Sequence, residues 1–328
     1  MKNFIILILL LFVTSTSYFI ILILLLFVTS TSYAAKKCKS TFYDVPSISG
    51  YNHLWYAPAE SERLFISPTY AASIDGDDDD DSQFGGDYEG DYQVQPQWVA
   101  VHVKAYLKKE YAPGWGRPTW YRSEMFDEER LEFGTNKRVN NSYTGIAKTW
   151  NRGHLAQRAD ANRMGPEYGC NTHSFTNAFP QHANFNQGIW LGLESYLSGF
   201  ANEKGEIWII SGPIFDDVPT TIGDAGEILI PIPQKAFKVV VWEESGETDV
   251  MAFIYPNIPN HPNYKLGKCK SDKKYDHTPF LYSVAAVEKA TGLTFFHDFS
   301  KGDQKILKQS RYTELPKLKA ENIVGDCQ

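Results

Sequence analysis

One stretch of helical periodicity, set among many runs of strand-forming residues, constrains this chain most. Between residues 184 and 201, Phe185, Ile189, Trp190, Leu193, Tyr196, Leu197 and Phe200 fall on one stripe at steps of three and four. A helix there must lay that stripe against a partner. The partner is read from the flanking runs at 98–103, 206–210, 228–232, 236–242, 250–255 and 293–297, which are rich in Val, Ile and aromatic residues. A second helix is predicted at 282–291, closed by Gly292. Strands outnumber helices and do not alternate with them, which predicts an α+β fold with a mostly antiparallel sheet core.

Apolar residues make up 43% of the 328 and aromatic residues 14%, which excludes a disordered chain. The formal net charge is −7, which excludes a uniformly basic nucleic-acid coat. That charge is concentrated: the stretch from Asp75 to Asp91 holds nine acidic residues and no Lys or Arg. The remainder is close to neutral and has room for a local basic groove facing phosphates. The acidic run has Asp80 and Gly86 where a calcium-binding EF-hand loop needs Gly and Glu. It reads as a solvated loop.

Three regions follow. Residues 1–35 read as a signal peptide with a duplicated hydrophobic core, because the fifteen residues 4–18 repeat identically as 19–33 behind Lys2. On this reading the protein is secreted or periplasmic, with an uncleaved membrane anchor as the alternative. Residues 36–96 read as an irregular N-terminal extension carrying the acidic loop, and 97–328 as the main domain. The four cysteines, Cys38, Cys170, Cys269 and Cys327, suit two disulfides with three pairings open. Cys170 with His173 and His182 matches no standard zinc spacing.

The chemistry is concentrated between residues 149 and 201. His154 is a candidate base, since neutral imidazole accepts a proton near pH 7. Arg152 beside it is a planar cation suited to phosphate oxygens, and Gly153 between them permits a sharp turn. Asn186 and Glu194 offer oxygens to a hard metal ion, and magnesium needs few protein ligands because it keeps several waters. Together these are the parts of metal-assisted phosphodiester hydrolysis.

Asn151-Arg-Gly-His154 resembles the Asp-Arg-Gly-His signature of the DNA/RNA non-specific endonucleases, the ββα-metal (His-Me finger) nucleases that include endonuclease G. Further matches follow in family order: Thr176-Asn-Ala-Phe-Pro-Gln181, Asn186-Gln-Gly-x-Trp190-x-x-x-Glu194, Ser211-Gly-Pro, Ala236-Phe-Lys-Val239, Pro256-Asn257 and the segment 287–296. The resemblance covers about residues 97–327 and marks 97–328 as a non-specific endonuclease domain with a ββα-metal active-site module.

The resemblance implies His154 as general base and Asn186 as the protein ligand of one Mg²⁺, with Mn²⁺ or another divalent cation substituting. Glu194 would support the ion's water, Asn177 would position the site, and Arg152 would bind phosphate. Arg122 is carried over as a stabiliser of the developing charge. DNA and RNA are the implied substrates, hydrolysed to 5′-phosphate ends. A homodimer and an inhibitor protein are partners the resemblance leaves open. Two departures stand out. The signature Asp is Asn151, which keeps alive an alternative in which a catalytically weakened nuclease fold binds nucleic acid as a surface protein. An Arg that some members carry four residues after the Glu is Ser198, so Arg158 and Arg163 become candidates for its phosphate contact. The family's late disulfide would pair Cys269 with Cys327, leaving Cys38 with Cys170.

Overall fold

The computed structural model describes residues 37–39, 41–59, 61, 63–74, 95–106, 112–121, 142–215, 219–224, 229–259, 261 and 275–324. The leader, the acidic loop, Arg122, Cys269 and Cys327 lie outside the described residues. Residues 35–328 form one compact unit.

Among the described residues the main sheet has seven strands in the order β1-β2-β3-β6-β9-β10-β11. They are β1 (Arg63–Ile66), β2 (Ala71–Ile74), β3 (Pro96–Lys104), β6 (Glu206–Ile214), β9 (Lys235–Glu244), β10 (Glu247–Pro256) and β11 (Leu281–Tyr282). Every pairing is antiparallel, as the run pattern predicts. The β9–β10 hairpin turns on Ser245 and Gly246, both at positive φ, the backbone that suits the twist of two joined strands.

Strand alternation gives this sheet two apolar faces. Val99, Val101, Ile209, Val240 and Phe253 pack on one side, and Trp98, Ala100, Ile210, Val239 and Ala252 on the other. The second face is covered by α4 (Val284–Thr291) and α5 (Lys301–Gln309), through Val284, Val287 and Leu307. Ser283 caps the start of α4 and Gly292, at φ 74°, ends it. The first face receives the predicted stripe: all seven of its residues, from Phe185 to Phe200, join that core. The helix carrying them is compound. A turn at Ala183–Phe185 leads into a π-helical turn, Asn186–Trp190, and then into α3 (Leu191–Lys204).

Two departures from the sequence reading concern the fold. Residues 36–96 contribute β1 and β2 to the sheet, and Tyr56 and Ala57 to its second core. The folded body therefore starts well upstream of residue 97. Residues 293–297 form no strand. Their apolar side chains Leu293, Phe295 and Phe296 are buried under the sheet instead, so burial alone explains a pattern read as strand pairing.

The candidate site is built beside the first face. The strands β4 (Trp150–His154) and β5 (Ala178–His182) pair antiparallel, with His154 opposite Ala178. Chain order is β4, the short helices α1 (Arg158–Ala161) and α2 (Pro166–Asn171), β5, then the compound helix. A two-stranded ladder followed by a helix is the ββα arrangement. A disulfide joins Cys38 to Cys170 on α2, with Cα atoms 5.6 Å apart.

Candidate active site

The β4–β5 ladder brings His154 to the mouth of a cleft of about 460 Å³ lined by Arg117, Arg158, His173, Asn186 and Glu194 among others. Gly153 is required here for space. A Cβ on it would lie 2.1 Å from Cδ of the fully buried Gln181, which crosses over β4 from the facing strand. The expected sharp turn at Gly153 is replaced by regular strand pairing with Phe179.

The His154 ring rests against Trp120 and His173, each with its ring centroid 4.7 Å away. Its Nε2 is buried and has no hydrogen-bond partner. Burial holds its pKa well below 6.5, and His173, Arg117 and Arg158 push the same way. The imidazole is therefore neutral, with an acceptor nitrogen in the cleft. His173 is likewise driven down to about 3, chiefly by burial and then by Arg158 and Arg117, and the Arg117 Nε donates to its Nε2 at 3.4 Å.

The backbone leaving His154 is held by side chains. The Trp190 indole donates to the His154 carbonyl at 3.3 Å, the Lys238 ammonium to that of Leu155 at 3.2 Å, and the Asn177 amide to that of Ala156 at 3.0 Å. Asn177 also accepts from the Ala156 N–H at 2.7 Å and donates to the Thr172 carbonyl at 2.9 Å. Its amide is spent on the backbone, so it positions the chain after His154.

Asn186 sits on the π-helical turn. Its Nδ2 donates to Asn151 Oδ1 at 2.9 Å, an oxygen that also accepts from Gln187 Nε2 at 2.8 Å. The other arm of the Asn186 amide, Oδ1, is the atom offered to a ligand. Asn151 Nδ2 donates to the Ala147 carbonyl at 2.8 Å. A carboxylate there would set oxygen against oxygen, so the amide fits this site where the signature has Asp. Glu194 is buried, and its Oε1 has no hydrogen-bond partner. Burial raises its pKa, Lys238 opposes that rise, and Asp160 adds to it. Among the described residues no group of three His, Cys, Asp or Glu has metal-ligand geometry. The donor set is of another kind: an amide oxygen, an unpartnered carboxylate oxygen and an unpartnered imidazole nitrogen around one cleft. That set suits a hard dication that retains most of its water.

The arginines divide differently from the sequence reading. Arg152 lies over the Tyr143 ring, with Cζ 4.6 Å from its centroid, beside a separate apolar cluster and near enough to Arg117 for the two charges to oppose each other. Arg163 is tied to Lys104 O, Asn202 Oδ1 and Ser198 O at 2.7, 3.0 and 2.7 Å and pairs with Asp160, so it braces the fold. Arg158 lines the cleft and donates to the Trp115 carbonyl, while its Nε is buried without a partner. Arg117, which carries no motif, lines the cleft too. Lys238 lies in the strand segment 236–239, where the resemblance implies no role for it. Its signal is a charged residue inside the apolar alternation of β9. Cys170 is in a disulfide, which removes it from any metal cluster with His173.

Zebrafish (Danio rerio) mitochondrial nuclease EXOG is 24% identical over 226 residues, 63% of this chain and 62% of the relative. Human mitochondrial endonuclease G is 26% identical over 180 residues, 52% of this chain and 55% of the relative. A nuclease of Nostoc sp. (strain PCC 7120) is 27% identical over 161 residues, 47% of this chain and 53% of the relative. The chain thus spans less than two thirds of the length of each of these relatives. Among solved structures, EndoG in complex with EndoGI matches with a TM-score of 0.52 at 18% identity, over 75% of this chain and 90% of that one, which shows a shared fold. These findings correct the expected location. The relatives from zebrafish, human and fission yeast are mitochondrial nucleases, and they point to the mitochondrion in place of a secreted or periplasmic protein. A Lys-led apolar leader reports hydrophobicity, which is not an address. The sequence pattern of the DNA/RNA non-specific endonucleases matches residues 65–302, more than half of the chain, and the chain belongs to that family.

Proposed function

We propose that this chain is a divalent-cation-dependent, sugar-non-specific endonuclease that hydrolyses phosphodiester bonds of DNA and RNA, leaving 5′-phosphate ends. The observation that carries the reading is the cleft itself: a buried, unpartnered, neutral imidazole nitrogen facing the same space as Asn186, Glu194, Arg117 and Arg158. His154 acts as general base, taking a proton from the attacking water at Nε2. Trp120 and His173 hold the ring in place. Arg158, an expected phosphate contact, and Arg117 bind the phosphate. Asn186 Oδ1 would hold the ion, preferentially Mg²⁺, and Glu194, which lines the same cleft, would support it. The ion, when bound, supplies charge stabilisation at the leaving oxygen.

Backbone contact through arginines carries no base information, which suits a loosely specific enzyme. Asn151 supports this reading over a weakened, binding-only fold, because its Oδ1 accepts from Asn186 while its Nδ2 is anchored on the Ala147 carbonyl. The solved neighbour is an EndoG–inhibitor complex, and a protein inhibitor closing this cleft belongs to the same proposal, as does a homodimer. Plasmid nicking with Mg²⁺, abolished by EDTA and by His154→Ala, tests the reading. Tight nucleic-acid binding with no cleavage under any divalent cation refutes it.

A further inference from the structure

Lys238 occupies a slot that an apolar residue would fill. On β9 it shares a face with Ala236, Val240 and Trp242, which pack into the core beneath the compound helix, and it is 1% exposed. A buried ammonium is costly unless paired and hydrogen-bonded. Its Nζ donates to Leu155 O at 3.2 Å and to Ser211 Oγ at 2.9 Å, and lies 4.2 Å from the centroid of the Trp190 ring. Burial lowers its pKa to about 8, and nearby Glu194 and Asp160 oppose that fall.

These contacts converge on one short segment. β4 ends at His154, so the carbonyls that follow leave the ladder and need other donors. Trp190, Lys238 and Asn177, from three different elements, serve the carbonyls of residues 154, 155 and 156 in turn. We propose that Lys238 is a positioning residue for catalysis: by anchoring the Leu155 carbonyl from the sheet beneath, and steadying the Trp190 ring whose indole holds the next carbonyl back, it fixes the backbone that aims His154 into the cleft. The inference rests on the endonuclease reading and adds to it a residue that never touches substrate.

The test compares wild type with Lys238→Met, which keeps length and apolar volume but removes the donor. Steady-state cleavage of an oligonucleotide with Mg²⁺ is one arm. The other is the ring resonance of His154 in histidine-labelled protein without metal, assigned by its loss in His154→Ala. The expected result is a kcat lower by roughly 10- to 100-fold, as for a catalytic group displaced by a fraction of an ångström to an ångström, with KM little changed. The His154 resonance moves while that of His277 does not. A folded Lys238→Met with an unmoved His154 resonance, or with unchanged kcat, overturns the proposal. Should that variant not fold, Ser211→Ala removes the ammonium's second acceptor in its place. A moved His154 resonance with a lower kcat supports the proposal, and no change in either overturns it. Wild-type protein that cuts no nucleic acid refutes the endonuclease reading instead, and the resonance arm then decides the positioning alone.

Discussion

Gly153→Ala is a sharp perturbation at the candidate site, because one methyl group meets a buried side chain. The added Cβ would sit 2.1, 2.2 and 2.3 Å from Cδ, Oε1 and Cγ of Gln181, far inside van der Waals contact. Gln181 is fully buried, so its side chain has no solvent to swing into. Either it takes a strained rotamer or β4 and β5 separate. Overpacking of this kind costs about 1–3 kcal/mol, which for a domain of this size lowers Tm by about 2–10 °C. The site suffers more than the fold, since His154 is the next residue and Asn151, which holds Asn186, is two residues back. Cleavage should fall by at least tenfold, the effect of roughly 1.4 kcal/mol on a barrier. The Gln181 amide nitrogen and oxygen have no hydrogen-bond partners, so trimming that side chain breaks no hydrogen bond. Gly153→Ala combined with Gln181→Ala should therefore recover most of the lost Tm, giving a double-mutant cycle with strong positive coupling. Thermal melts and plasmid nicking on the four proteins read this directly. A Gly153→Ala protein as stable and as active as wild type, or a double variant in which the two losses simply add, refutes the steric account.

Other predictions follow from the same geometry. Arg117→Ala and Arg158→Ala should each raise KM several-fold and flatten the salt dependence of binding, as loss of one phosphate contact does, whereas Arg152→Ala should leave both unchanged; binding titrations at several salt concentrations compare them. Burial lowers the pKa of His277 to about 4, below its unfolded value, so protons bind preferentially to the unfolded chain. Stability is then full above about pH 6.5 and falls as pH drops towards 4, by about 2 kcal/mol from this group at pH 5. Denaturant melts at pH 7 and pH 5 should show a smaller fall in His277→Gln, and equal falls count against the assignment. Breaking the Cys38–Cys170 bond, whose ends are 132 positions apart in sequence, removes a constraint worth about 2–5 kcal/mol, so Cys38→Ala should lower Tm without altering the cleavage products.

Much of this was legible in the sequence because period reports burial. The seven-residue stripe packs as its spacing predicts, and the runs at 98–103, 206–210, 236–242 and 250–255 pair as antiparallel strands, whereas 293–297 is buried without pairing. His154 and Asn186 were legible as chemistry, since few structural roles call for that density of polar groups on one ladder. Arg117 was not, because a cleft-lining arginine leaves no periodic trace. For Arg152, being next to His154 in the chain does not by itself fix where the side chain lies: its guanidinium stacks on Tyr143. Residues 36–96 were misread because short strands interrupted by an acidic run show too little alternation to register.

The π-helical turn at Asn186–Trp190 has one consequence for how the gene can vary. Two helical pieces meet at a kink there, with Gly188 at φ −110° and ψ −112°, outside helical angles. Deleting a single codon there would let the coil wind regularly and rotate everything ahead of it by about 100° about the axis. Asn186 would then face away from its cleft while Glu194, downstream, kept its place. Length across these five residues is thus held more tightly than composition, and a lineage that lost one of them would keep a folded body with its ion ligand pointing elsewhere.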